Sequence, residues 1–218
     1  MSSGSVVAVL AGIGSSVLAF LCAPAIAFGQ ATAPATSATT PLTFGVTLNA
    51  AQRANETATY SFAAEQGAYL IEVEQQSLDL IVTVERPGGA SESFDSPLRR
   101  DGAELVLLEQ TQPGTHRVIL RSEEHTGAVG GHAIRVSALG SAADMRELAA
   151  LRLMSQSAAR YRTGGQEAWD AATADYLAAA EFWRLLTQPR REAQAKFSAA
   201  TMAASMERIF SDVVAARA

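Results

Sequence analysis

Side chains able to do chemistry are few and scattered in this chain. Its one cysteine, Cys22, sits in an apolar, uncharged leader. Its three histidines, His116, His125 and His132, share one short stretch of the middle. No Gly-x-Ser-x-Gly elbow presents a serine, no His-Glu-x-x-His pairs imidazoles on a helix, and no glycine loop is built to cradle phosphate. His125 stands beside Glu123 and Glu124, but consecutive side chains of an extended segment point apart. A solvated loop is expected there, not a metal site. Asn55-Glu-Thr57 matches a glycosylation acceptor, a short pattern common by chance. The expectation is a non-enzyme with no catalytic residue and no cofactor.

The elements around these residues divide the chain. Every Lys, Arg, Asp and Glu lies from Arg53 onward. Within the neutral leader, Val6 to Phe28 is apolar and ends in Ala25-Ile26-Ala27, the pattern of an export signal with a small-x-small cleavage site. Residues 1–27 are read as a signal peptide cleaved after Ala27, with Ala31 as the second choice. Its first five residues carry no Lys or Arg, a departure from the usual signal. An uncleaved anchor is the competing reading, since about 20 apolar residues span a bilayer. Pro24 and the Gly/Ser interruptions weaken a span, and bulky Leu21 before Cys22 argues against a lipid-attachment site. The expected location is periplasmic or secreted, with membrane contact only if the leader stays uncleaved. Cleavage removes Cys22, so no disulfide holds the mature chain.

The chain carries 17 basic and 22 acidic residues, a net charge of −5. Residues 53–140 hold 7 Arg against 13 carboxylates, and residues 141–218 hold 10 basic against 9 acidic side chains. Neither half has the basic surplus that nucleic acid would require. Residues 28–42 are rich in Ala, Thr, Pro and Ser and read as a flexible linker. Residues 43–139 have strand periodicity; residues 141–218 have helical periodicity. The border is Leu139-Gly140-Ser141.

In the first half apolar residues alternate: Ala58, Tyr60, Phe62; Tyr69, Ile71, Val73; Leu80, Val82, Val84; Leu105, Leu107; Val118, Leu120; Ile134, Val136. Turns at Glu65-Gln66-Gly67, Pro87-Gly88-Gly89, Asp101-Gly102, Pro113-Gly114 and Gly130-Gly131 separate them. Period-2 patterning with one wet face predicts antiparallel sheets in a jelly-roll-like β-sandwich. Tyr60-Ser-Phe62, Gly67-Ala-Tyr-Leu-Ile-Glu-Val-Glu-Gln75, Asp79-Leu-Ile-Val-Thr-Val84 with Pro87-Gly88, and the closing runs Pro113–Leu120 and Gly131–Val136 resemble bacterial pre-peptidase C-terminal (PPC) domains. The resemblance covers about residues 55–138. It implies a secreted, non-catalytic sandwich that accompanies other domains. His116 and His132 stand where that pattern usually has an aromatic, which fits a core or rim role. Some members bind calcium, which makes Asp79, Asp95, Asp101 and Glu104 weak calcium candidates at one end of the sandwich. Calcium takes about six to eight oxygens, and no Asp-x-Asp-x-Asp loop is present. Solvated turn carboxylates are the plainer expectation.

In the second half, Ser141-Ala-Ala-Asp144 predicts a capping box. Leu148, Leu151, Ser155 and Ala158 follow at helical spacing until Thr163-Gly164-Gly165 stops the helix. Trp169, Ala172, Tyr176, Ala180 and Trp183 form the stripe of a second helix. Pro189 suits the start of a third, which sets Phe197, Ala200 and Ala204 on one face and continues through Met206, Ile209, Phe210 and Val213. The aromatic knobs and alanine holes, with Tyr176–Leu186 followed by Pro189-Arg-Arg-Glu-Ala193, resemble tetratricopeptide (TPR) hairpins; a plain three- or four-helix bundle is the alternative. Val213 to Ala218 ends in helical pattern without a stop, as if the chain continued or its last helix docked on a partner.

The expected fold class is α+β in separate domains: an antiparallel jelly-roll-like β-sandwich, then antiparallel TPR-like helices. That order resembles the N-terminal part of exported TPR/CHAT-domain proteins. The expected function is an exported protein-binding scaffold whose helices offer a groove to a protein segment, with Trp169, Tyr176, Phe182 and Trp183 as the candidates to line it although most of them must be core. The alternatives are the regulatory N-terminal part of a secreted CHAT-type peptidase and a sandwich that binds carbohydrate or cell wall.

Overall fold

The computed structural model describes residues 38–109, 111–124 and 127–215. The expected signal peptide and its cleavage site, most of the linker and His125 lie outside the described residues, as do the side chains of Asp101, Ile209, Phe210 and Val213. The strands are β1 Thr40–Pro41, β2 Leu48–Arg53, β3 Thr57–Ala64, β4 Ala68–Gln76, β5 Leu80–Glu85, β6 Ser91–Phe94, β7 Asp101–Leu108, β8 Gly114–Ser122 and β9 Val129–Leu139. The helices are α1 Ala142–Thr163, α2 Gln166–Leu185 and α3 Pro189–Ala215. No helix among the described residues is long and apolar enough to cross a membrane.

The strands form two sheets, ordered β1-β3-β8-β5-β6 and β2-β9-β4-β7. All pairs are antiparallel except β1 with β3, which is parallel. This pairing shortens the expected linker: Thr40 and Pro41 join a sheet edge, and buried Leu42 donates its N–H to the Ser61 carbonyl at 2.7 Å. Proline is tolerated in that edge position. Inward residues of both sheets form one core, with Tyr60, Phe62, Ile71, Val73, Leu80, Val82, Val84, Val118, Leu120, Ile134 and Val136 all buried. These are the alternating residues of the sequence.

Strand β7 departs from the expectation. Its core-facing residues are Val106 and Leu108, while Leu105 and Leu107 pack on the far side against helices. The sheet containing β7 therefore has no uniformly wet outer face. Leu70, Ala103 and Leu105 are buried in one cluster with Leu151 and Met154 of α1, Tyr176 and Trp183 of α2, and Met202 of α3. The strand and helical halves are thus not separate domains: the described residues fall in one compact unit.

The helices also close the sandwich's open side, where β7 and β6 are the edge strands. Ala158 of α1 belongs to the sandwich core. The Leu107 N–H donates to Ser155 Oγ at 3.0 Å, and Gln194 Nε2 donates to the Ala103 carbonyl at 2.9 Å. Helical side chains thus take the place of a neighbouring strand on edge groups that would otherwise be unpaired. Arg191 of α3 adds an ion pair with Glu72 at 2.9 Å and lies over the Trp183 ring. Ser155→Ala should leave the half-buried edge N–H unsatisfied and lower stability by about 1 kcal/mol, read as a shift in the urea midpoint without a change in slope.

Local signals set the helix ends. Ser141 Oγ accepts from the Asp144 N–H at 3.1 Å, and Asp144 Oδ2 accepts from the Ser141 N–H at 2.8 Å, the capping box expected from sequence. Gly164, at φ 74°, ends α1 in a conformation that favours glycine. Helix α2 packs against both α1 and α3.

Candidate functional site

Two regions hold the residues singled out above. The first is the end of the sandwich where Asp79 precedes β5, Asp95 follows β6 and Glu104 lies in β7. Glu104 shares parity with Val106 and Leu108, so its carboxylate points into the sandwich and is fully buried. It accepts from Ser96 Oγ at 2.5 Å and Gln75 Nε2 at 2.9 Å on one oxygen, and from the Ser96 N–H at 2.8 Å on the other. Gln75 is held in turn by the Leu80 N–H, which donates to its Oε1 at 2.6 Å. Burial outweighs these donors and pushes the Glu104 carboxyl up to about 8.

Asp79 and Asp95 come together outside that network. They line a cavity of about 270 Å³ with Arg99, Glu123, Tyr161, Arg162 and Trp169, where the end of α1 and the start of α2 meet the sandwich. Burial, and next the charge of Asp79, push Asp95 up to about 7. Arg162 approaches Asp95 at 3.8 Å and Glu123 at 2.8 Å, and Arg99 approaches Asp79 at 3.8 Å. Arginines thus face the carboxylates. Among the described residues no three His, Cys, Asp or Glu side chains are placed to hold a metal ion. The four calcium candidates are divided: Glu104 points inward to Ser96 and Gln75, Asp79 and Asp95 face arginines, and Asp101 opens β7 opposite Gln76.

His116 and His132 sit inside the sandwich. His132 Nε2 and Tyr60 Oη are 2.6 Å apart and bridge the two sheets. Burial pushes His132 down to about 4, so its ring is neutral near pH 7. His116 stacks on Phe62 at 5.3 Å between centroids. Each supplies an aromatic body to the core.

The second region is the helical layer. Tyr176 and Trp183 are 0 % exposed and Trp169 is half-buried, so α2 spends its aromatic stripe on packing and only Phe182 of the four partner candidates is exposed. Tyr176 and Trp183 therefore line no groove. Sequence reasoning found the stripe and expected most of it to be core, but could not tell which aromatic stays open, because core and surface both use aromatic residues at helical spacing. Among the described residues the open large apolar side chains of the helices are instead Met145 on α1, Leu177, Phe182 and Leu185 on α2, and Phe197 on α3. In α3 the buried face is Ala195, Ser198, Ala199 and Met202. The stripe expected to make contacts, Phe197, Ala200 and Ala204, lies opposite it and is exposed together with Ala193.

Neither a family model nor a curated protein matches the chain. Among solved structures it is similar to the pre-peptidase C-terminal domain of a collagenase from Bacillus anthracis, at 10 % identity and TM-score 0.38 over 46 % of this chain and 96 % of that one. It is also similar to PliG, a periplasmic inhibitor of g-type lysozyme, from Aeromonas hydrophila, at 18 % identity and TM-score 0.36 over 46 % of this chain and 95 % of that one. PliG from Salmonella Typhimurium gives 14 % identity and TM-score 0.32 over 45 % and 98 % of the two chains. The two-sheet sandwich itself is read from the strand pairing above.

Proposed function

We propose that this chain is an exported, non-catalytic protein-binding module in which a PPC-like sandwich carries TPR-like helices that dock a partner. The observation that carries this reading is the open stripe Ala193, Phe197, Ala200 and Ala204 on α3, with Phe197 62 % exposed. A helix that is apolar on two faces is normally covered on both. Here the inner face is taken by α2 and the sandwich, and the outer one is open. Leu177, Phe182 and Leu185 add exposed apolar area on α2. Export is supported by the uncharged leader and its Ala25-Ile26-Ala27 ending. The non-catalytic reading is supported by His116 and His132, which the sandwich core uses as packing groups.

The test is site-specific photocrosslinking in the source cells. A photoreactive phenylalanine analogue replaces Phe197, or Thr83 on the outer face of β5 as a control. A discrete adduct from position 197, absent from position 83 and abolished by Ala200→Glu, is the expected result. Equal adducts from both positions, or none from 197, would overturn the reading.

A further inference from the structure

The charges along the open face of α3 specify what should lie on it, and this step rests on the docking reading above. Arg190 and Arg208 are five turns apart at about 3.6 residues per turn, so they stand on one edge of the Ala193–Phe197–Ala200–Ala204 stripe, one at each end. Both are exposed, and neither forms an ion pair among the described residues. Most other described arginines are paired: Arg86 with Glu92, Arg117 with Glu85, Arg152 with Glu109, Arg162 with Glu123, Arg184 with Glu181 and Arg191 with Glu72. On the opposite edge Lys196 is engaged by Glu192 of its own helix, beside Glu207. The stripe thus has one edge with an arginine at each end, neither of them paired among the described residues.

Its relief is also particular. Alanines at 193, 200 and 204 leave a shallow trough, and Phe197 stands in it as a single knob. A facing helix would fit by laying large aliphatic side chains over the alanines and a small residue against Phe197, as ridges fit grooves.

We propose that this face docks an amphipathic helix of another protein whose apolar stripe is edged by carboxylates. The carboxylates meet Arg190 and Arg208, and the aliphatic side chains cover the alanine trough. Desolvated apolar contact provides the affinity, and the charged edge provides orientation and partner choice.

The experiment uses the full chain and two synthetic helical peptides with the same leucine-rich apolar stripe. One carries Glu along the edges of that stripe and the other Lys. Binding is read by fluorescence anisotropy at low and high salt. The Glu peptide should bind at least tenfold more tightly, with the difference shrinking as salt screens exposed charges. The double variant Arg190→Glu with Arg208→Glu should reverse the preference. Phe197→Asp and Ala200→Asp should each abolish binding of the Glu peptide, and both positions are exposed, so the melting curves should be unchanged. Equal binding of the two peptides would overturn the charge selection while leaving the docking reading in place. Binding of neither would overturn both. A dimer of the chain alone in sedimentation, broken by Phe197→Asp, would show that a second copy fills the face and would also overturn the proposal.

Discussion

Glu104→Gln should invert its effect on stability between mild acid and mild alkali. The Glu104 carboxyl is raised to about 8 by burial, whereas in the unfolded chain it titrates near 4.5. The folded state therefore holds the proton more tightly. Its stabilising contribution is full below about pH 4.5 and is lost as pH rises through about 8. Asp95, raised to about 7, adds a loss of the same sign at a lower pH. His132 acts in the opposite direction: with its folded value near 4, it favours the native state above about pH 6.5 and costs stability as pH falls toward 4.

The glutamine variant carries no charge at any pH, so its stability should be flatter from pH 6 to 9 and exceed the parent's at pH 9. At pH 5 the order should reverse. A protonated Glu104 can turn its hydroxyl to Ser96 Oγ and still accept from Gln75. A glutamine amide in that place would set its own N–H groups against the Gln75 amide, which the Leu80 N–H holds in orientation. That mismatch should cost about 1–2 kcal/mol. Urea midpoints of the two proteins across this range are the measurement. Parallel curves would mean that Glu104 keeps an ordinary titration inside the sandwich.

Trp183→Ala should be the most damaging single change in the helical layer, at about 3–5 kcal/mol. Trp183 is fully buried, shares a cluster with sandwich residues Leu70, Ala103 and Leu105, and lies under Arg191. Removing the indole opens a cavity among all three helices and one sheet face, and frees the guanidinium that ties α3 to Glu72. Tyr176→Phe, two positions away on the same stripe, should behave in the opposite way. Its hydroxyl is buried without a hydrogen-bond partner among the described residues. Deleting it removes a desolvation penalty and leaves the ring packed, so the variant should be neutral or more stable by up to about 1 kcal/mol. Thermal melts of the two variants beside the parent decide the matter. A loss above 1 kcal/mol in Tyr176→Phe would mean that the hydroxyl has a partner after all.

The sandwich was legible because its inward residues alternate strictly and its turns are marked by glycine, and α1 because Ser141 and Asp144 form a local signal. Four features were not legible, each for a physical reason. Thr40-Pro41 has too few residues to show any period, and its pairing partner, β3, lies well along the chain. Strand β7 hides its parity: Ala103-Glu-Leu-Val-Leu-Leu108 is apolar on both faces apart from Glu104, which signals burial on both sides without saying what covers the second. In α3, alanine makes two faces equally plausible cores, and the choice falls to whichever matches the trough left by α2. The Glu104 network was out of reach because its donors, Ser96 and Gln75, come from different elements. The candidate docking face was visible as a period in Phe197, Ala200 and Ala204, but its openness was not.

The sheet β2-β9-β4-β7 is packed on one face by the sandwich core and on the other by the helices, so neither part is expected to unfold alone. Both tryptophans of the chain, Trp169 and Trp183, lie in α2, so tryptophan fluorescence reports the helical layer. Amide exchange in peptides from β3 and β8, in the sheet farther from α2, reports the sandwich. The measurement is a urea titration of the full chain read by both. Coincident midpoints and slopes are expected for a single cooperative unit. A fluorescence transition complete before β3 and β8 begin to exchange would contradict the coupling through the shared sheet and return the helices to the status of a separate domain.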